Sequence, residues 1–216
     1  MKSLARLAML AFVLTSSVAV RAGAQSSIPG LFNTGVDNSR NKLAVGATDP
    51  HYTVLENSGA QAIVTDNGAY VHTTTAGYIW QTAGGTPGNT TRTFRTTFDL
   101  TGFDVATAFI SGSWSTDNVG LNIFINGTPT SWTSGGFTSY TPFSISSGFM
   151  SGINTLDFLV QDLGPPGALS VDNLSGRAFA AVPSTVPEPA TLALLATGLV
   201  GVFGAARRKR GAQPTA

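Results

Sequence analysis

Apolar and polar residues alternate along most of this chain, in short runs. Phe94, Thr96, Phe98 and Leu100 fall on one side of a period-two pattern, with Thr93, Arg95, Thr97 and Asp99 on the other. Ala106, Ala108, Ile110, Gly112 and Trp114 make a second face. Leu121, Ile123 and Ile125 alternate with Asn122, Phe124 and Asn126, and Leu156, Phe158 and Val160 with Thr155, Asp157 and Gln161. Leu169 and Val171 continue the pattern, and Tyr52–Leu55, Ala60–Thr65 and Tyr78–Thr82 are earlier candidates. Period two is the mark of a half-buried strand, because successive side chains point to opposite faces. Gly, Pro and Asn punctuate the runs, and Asn126-Gly127 is a hairpin signal, since both residues tolerate positive φ. No helical period longer than two turns interrupts them. The pattern predicts about eight or nine strands at sandwich spacing.

The two ends break the pattern. Lys2 and Arg6 precede an apolar stretch, Leu7 to Val20, and Ala22-Gly23-Ala24 is a cleavage site of the A-x-A kind. Residues 1–24 therefore read as a signal peptide, which implies passage through the Sec translocon, removal by signal peptidase and a mature chain starting at Gln25. At the other end Val186-Pro187-Glu188-Pro189 leads into an apolar run from Ala190 to Ala206, then Arg207-Arg208-Lys209-Arg210. The run is about 17 residues, roughly 25 Å as a helix, enough for a thin bilayer core. Its basic stop is expected on the cytoplasmic side, with the segment anchored in the inner membrane. Residues 180–186 read as an extended linker, and 211–216 as a disordered tail.

Removing both ends changes the charge. Of twelve Lys+Arg, seven lie in the two signals, and of eleven Asp+Glu, only Glu188 does. The body from 25 to 179 keeps five basic and ten acidic residues, a net charge of about −5. No basic patch remains for nucleic acid. The chain has no cysteine, so neither disulfides nor thiolate chemistry support it. A body of about 160 residues is large enough to hold one core without them.

The C-terminal order of Pro187-Glu188-Pro189, apolar span and basic tail resembles the PEP-CTERM sorting signal of Gram-negative bacteria, over 187–210. The resemblance implies processing by exosortase, a membrane-embedded cysteine protease, in hosts that make exopolysaccharide. It implies an exported protein, transiently anchored, then displayed on the surface or released to the extracellular matrix or biofilm.

A second resemblance covers the body. Phe98-Asp99-Leu100-Thr101-Gly102, Ala108 to Trp114, Asp117-Asn118, Ile123 to Gly127 and Gly152-Ile153-Asn154-Thr155-Leu156-Asp157-Phe158 look like the jelly-roll sandwich of galactose-binding-like domains. That resemblance implies a single all-β sandwich and, for many such domains, carbohydrate binding. It also implies a structural calcium, with Asp49 and Asp172 as candidate ligands and Asp37 and Asp66 behind them.

Candidate chemistry is sparse. His51 and His72 are the only histidines, and neither a G-x-S-x-G elbow nor an H-E-x-x-H helix is present. His51 reads as packed or capping, His72 as a strand-surface residue, and Asp117-Asn118 as a turn whose side chains bond nearby amides. Glycan sites pair exposed aromatics with polar contacts. Trp132, Trp80 and Tyr140 lie in or beside Gly/Thr/Ser-rich stretches, with Arg92 and Arg95 as polar candidates, whereas Trp114 aligns with core positions. The chain is expected to be non-catalytic and associated with exopolysaccharide. The alternatives are a purely structural surface protein without a glycan ligand, or an envelope hydrolase.

Overall fold

The computed structural model describes residues 24–182 and 197–199. The signal segment, Pro187-Glu188-Pro189 and Arg207 to Arg210 lie outside the described residues, as does most of the apolar run. Thr197–Leu199 are helical. Among the described residues no helix is long and apolar enough to cross a membrane. Contacts divide the chain into two units, Met1–Ala180 and Ala181–Ala216.

The first unit is an all-β sandwich, as the alternation predicts. Its strands are β1 (Gln25–Ser27), β2 (Thr48–Val54), β3 (Ala60–Thr65), β4 (Tyr78–Trp80), β5 (Thr91–Asp99), β6 (Phe109–Asp117), β7 (Val119–Ile125), β8 (Thr128–Pro129), β9 (Thr141–Ile145), β10 (Ile153–Gln161) and β11 (Ala168–Phe179). They form one antiparallel ladder in the order β8-β7-β10-β5-β2-β3-β4-β11-β6-β9, with β1 on β11. The ladder doubles over through β2, β3 and β4, because ring pairs join strands that share no hydrogen bonds. Phe158 of β10 lies 5.8 Å from Trp114 of β6 and 5.8 Å from Phe143 of β9. Trp80 of β4 lies 5.3 Å from Phe94 of β5. The residues named by the period-two pattern fill this interior, Phe94, Ile110, Trp114, Ile123, Leu156, Phe158 and Val171 all being fully buried.

Asn126 (φ 49°) and Gly127 (φ 78°) make the β7–β8 hairpin with two left-handed residues, the turn their sequence predicts. Three corrections follow from the backbone. Val105–Thr107 is a single 3-10 turn, so the Ala106 end of the second run is not strand. Asp104 caps that turn, accepting from Ala106 N–H at 3.1 Å. His72 sits in a loop, where its Nε2 meets Asp66 Oδ1 at 3.1 Å. Strand β9 alternates over only four residues, with Phe143 and Ile145 buried and Pro142 and Ser144 exposed, and the sequence pattern passes over it as it does the short β1 and β8.

A cross-strand pair stiffens the outer face of β5 and β10. Arg95 donates to both oxygens of Asp157 at 2.7 Å, directly opposite it in register. Bidentate geometry fixes both side chains, and the bond to Asp157 raises the Arg95 pKa further.

Candidate functional site

The ends of the ladder, β8 and β9, are unpaired edges, and exposed edges invite further pairing. Each carries a proline, Pro129 and Pro142, which removes one donor from the edge. Beyond β8 the segment Thr130–Ser134 crosses the open side of the sandwich. Thr130 N–H and Oγ1 both donate to Ile123 O, at 2.9 and 2.7 Å. Ser131 N–H donates to Asn122 Oδ1 at 3.0 Å. Ser134 exchanges both backbone hydrogen bonds with Gly120, at 2.9 and 3.0 Å. Between these fixed points Trp132 reaches across, and its Nε1–H donates to Ser144 O at 2.7 Å on the edge strand β9. The indole is half-buried, with part of its surface packed on the core.

The Ser146–Gly152 loop closes one end. Asn126 Nδ2 donates to Gly148 O at 2.9 Å and to Asn154 Oδ1 at 2.8 Å, and Asn126 Oδ1 accepts from Thr155 N–H at 2.9 Å. Asn154 is fully buried and ties Met150 and Gly152 to the same network. Gly148 has φ 85° and a Cβ there would lie 2.6 Å from Ile125 Cγ2, so only glycine fits.

These elements leave a shallow groove of about 260 Å³ around Trp132, Thr128, Pro129, Thr130 and Ser144 to Gly148. No charged or titratable side chain lines it. Among the described residues the hydroxyls of Thr128, Ser144, Ser146 and Ser147 bond to no protein group, and all four residues are exposed. An anchored ring beside unsatisfied hydroxyls can meet a ligand that presents an apolar face rimmed by hydroxyls.

The other sequence candidates lie elsewhere. Trp80 is wholly buried against Phe94, with its Nε1–H donated to Pro87 O at 3.2 Å, which removes it from any surface site. Its strand is only three residues long, and the Gly/Thr-rich flanks made it look exposed. Arg92 Nε donates to Gln81 Oε1 at 2.8 Å, and Arg95 is held by Asp157, so neither serves the groove. Tyr140 shares a 2.7 Å hydrogen bond with Ser170 Oγ on the outer face of β11. There it joins Tyr70 and Tyr78, whose rings lie 4.4 Å apart, in a phenol belt. Burial is the main cause that raises the pKa of all three. Sequence reasoning missed the groove serines and Thr128, because they come from segments about twenty residues apart with no motif of their own.

The calcium candidates are already occupied as acceptors. Asp49, fully buried, accepts from Gly35 N–H at 2.6 Å and His51 N–H at 2.7 Å, and burial raises its pKa. Asp172 Oδ1 accepts from Asn33 Nδ2, Thr75 Oγ1 and Asn173 N–H, each at 2.8 Å. Asp37 closes its own turn with Ser39 and Asn41, and Asp66 takes Asn67 N–H and His72. Among the described residues no three His, Cys, Asp or Glu gather as a metal site. Protein donors hold both oxygens of Asp49 and Oδ1 of Asp172, while Asp172 Oδ2 meets only Asn173 Nδ2, at 3.4 Å. His51 is stacked on Phe32 at 3.6 Å, the packed role its position predicts.

No curated protein matches the chain. Among solved structures it is similar to a cyclase from Fischerella sp. TAU, at 12% identity over 74% of this chain and 100% of that one, with a TM-score of 0.43. It is also similar to a CBM35 module from Paenibacillus barcinonensis, at 14% identity over 74% and 100%, with a TM-score of 0.32. A CBM36-1 domain of a multidomain xylanase from the hindgut metagenome of Trinervitermes trinervoides matches at 15% identity over 61% and 98%, with a TM-score of 0.31. At these scores the likenesses fix neither a ligand nor an activity. Residues 185–209 match the family model of the PEP-CTERM protein-sorting motif, which implies an exported protein that exosortase processes.

Proposed function

We propose that the chain is a non-catalytic surface or matrix protein whose sandwich engages a neutral glycan through the Trp132 groove. The observation that carries this reading is the half-buried indole, pinned to Ser144 O in a groove lined by free hydroxyls and no charge. A pyranose offers the complementary surface, with axial C–H groups for the ring and hydroxyls for Ser144, Ser146, Ser147 and Thr128. An uncharged lining favours neutral sugars over uronates, and the body's net charge of about −5 adds long-range repulsion toward polyanions. The groove is shallow, so single contacts are weak, and clustering of the exported protein on a polymer raises retention. The groove offers no acid or base, which supports binding rather than turnover. Exopolysaccharide of the producing cell is the polymer such a sorted protein meets first.

The test is affinity electrophoresis of the full chain through gels holding neutral or uronate polysaccharides, beside Trp132→Ala. Retardation in the neutral gel that the variant loses supports the reading. A folded sample retarded in neither gel leaves a structural surface protein instead.

A further inference from the structure

Two carboxylates lie at the end of the sandwich where β6 meets β7, and their surroundings differ. Asp117 is 5% exposed and Asp162 1%. Their segments are stitched together: Asn118 N–H donates to Gln161 O at 3.1 Å, and Leu163 N–H to Asn118 Oδ1 at 2.7 Å. Each oxygen of Asp162 accepts a backbone N–H, Oδ1 from Gly164 at 3.0 Å and Oδ2 from Asn89 at 3.1 Å. Asp117 Oδ1 is buried without a protein partner. Asp117 Oδ2 meets Tyr70 Oη at 3.0 Å, and the same phenol lies 3.2 Å from Pro166 O. A phenol carries one proton, so with Asp117 ionised one of these two contacts sets acceptor against acceptor. The titratable groups around Asp117 are Asp162, Tyr70 and Tyr78, and His72 beyond Tyr78 is paired with Asp66. On β11 the residue opposite Asp117 is Ala168, and the other ion pair among the described residues, Arg95–Asp157, does not involve it.

We propose that Asp117 carries a proton in the folded chain and donates it to Tyr70 Oη, forming a pH-sensitive latch between the segment 66–77 and the turn at 162–167. One added proton satisfies both contacts. Asp117 Oδ2–H donates to Tyr70 Oη, and Tyr70 Oη–H donates to Pro166 O. The remaining Oδ1 is then a neutral carbonyl oxygen, which costs far less to bury than a carboxylate. Tyr70 lies on the connection from β3 to β4 and Pro166 on the one from β10 to β11, so the relay ties two loops through the end of β6. Burial is the main cause that raises the Asp117 pKa, and the Asp162 charge adds to it. The sign follows: the latch is closed at acid pH and weakens as the pH rises through that raised value. Packing of the Tyr70 ring on Tyr78, at 4.4 Å, does not need the proton, so opening loosens the segment without releasing it.

The test is a pH series on the full chain in detergent. It reads the carboxyl NMR resonances of isotope-labelled aspartate and the hydrogen exchange of segment 66–77 relative to intrinsic rates. One carboxyl resonance, missing from Asp117→Asn, should titrate above the usual aspartate value of about 4. Exchange of Val71 N–H, which is bonded to Phe137 O, should quicken roughly tenfold through the same midpoint, the effect of losing one buried hydrogen bond. Asp117→Asn keeps a donor toward Tyr70 Oη and should hold the segment at the slow rate at every pH. If that variant fails to fold, Tyr70→Phe keeps the ring and should abolish the pH dependence. An Asp117 that titrates at or below the usual value overturns the proposal. So does a segment whose exchange ignores the titration, or a Tyr70→Phe chain that keeps the parent's pH dependence.

Discussion

The Trp132 groove and the Asp117 end lie at different places on one sandwich, and both leave polar atoms without protein partners. In the groove the unpartnered atoms are neutral hydroxyls on exposed residues, where water serves them at little cost. At the Asp117 end the unpartnered atom is a carboxylate oxygen shut away from water, where the cost is several-fold higher. The first arrangement suits a ligand that comes and goes. The second burdens the fold. Exposure and charge together, rather than the mere count of unsatisfied atoms, separate a recognition surface from a structural site.

The largest expected effect comes from the core that both regions share. Phe158 touches Trp114 and Phe143 and is fully buried. Phe158→Ala should cost about 3–5 kcal/mol of stability, measured by urea unfolding, and should weaken glycan retention with it. If retention survived unchanged, the groove would not rest on this core.

Next is Trp132→Ala, which should separate the regions. Binding to a neutral polysaccharide should fall ~30-fold, about 2 kcal/mol, while stability falls by only about 1–2 kcal/mol because the ring is half-exposed. Arg95→Ala serves as a control remote from both. It leaves Asp157 almost buried without its bidentate partner and should cost about 1–3 kcal/mol in unfolding, with glycan retention unchanged.

The sequence discloses these regions unequally. The sandwich itself is legible, because half-buried strands must alternate and Asn126-Gly127 must turn. Trp114 is legible as core from its strand neighbours. Trp80 is not, since three residues of strand carry too little pattern to outweigh their Gly-rich flanks. Trp132 is visible as a candidate, but its serine partners are not, because tertiary folding alone brings β9 beside the β7–β8 turn. Asp117-Asn118 is correctly placed as the β6–β7 connection, yet its side chains bond Tyr70 and Leu163 rather than local amides. Tyr70 lies 47 residues away in the chain, and no local rule reaches that far. The buried carboxylate with a free oxygen thus lies where a local reading of a turn gave way to a long-range contact.

The smallest expected effect is on pH, and it sharpens the contrast. Asp117 and Asp49 both have pKa values raised by burial, so their folded forms hold a proton more readily than the unfolded chain. Lowering the pH from 7 through those raised values should therefore stabilise the fold by a modest amount. Asp37 and Asp99 act oppositely: hydrogen bonds hold their pKa values below 3.8, so the stability they give is lost as acid drops below that range. A shallow stability maximum on the acid side of neutrality is expected in melting curves. Glycan retention should stay flat across the same range, because nothing in the groove titrates. A binding curve that followed pH would instead put a titrating group against the glycan, outside this groove.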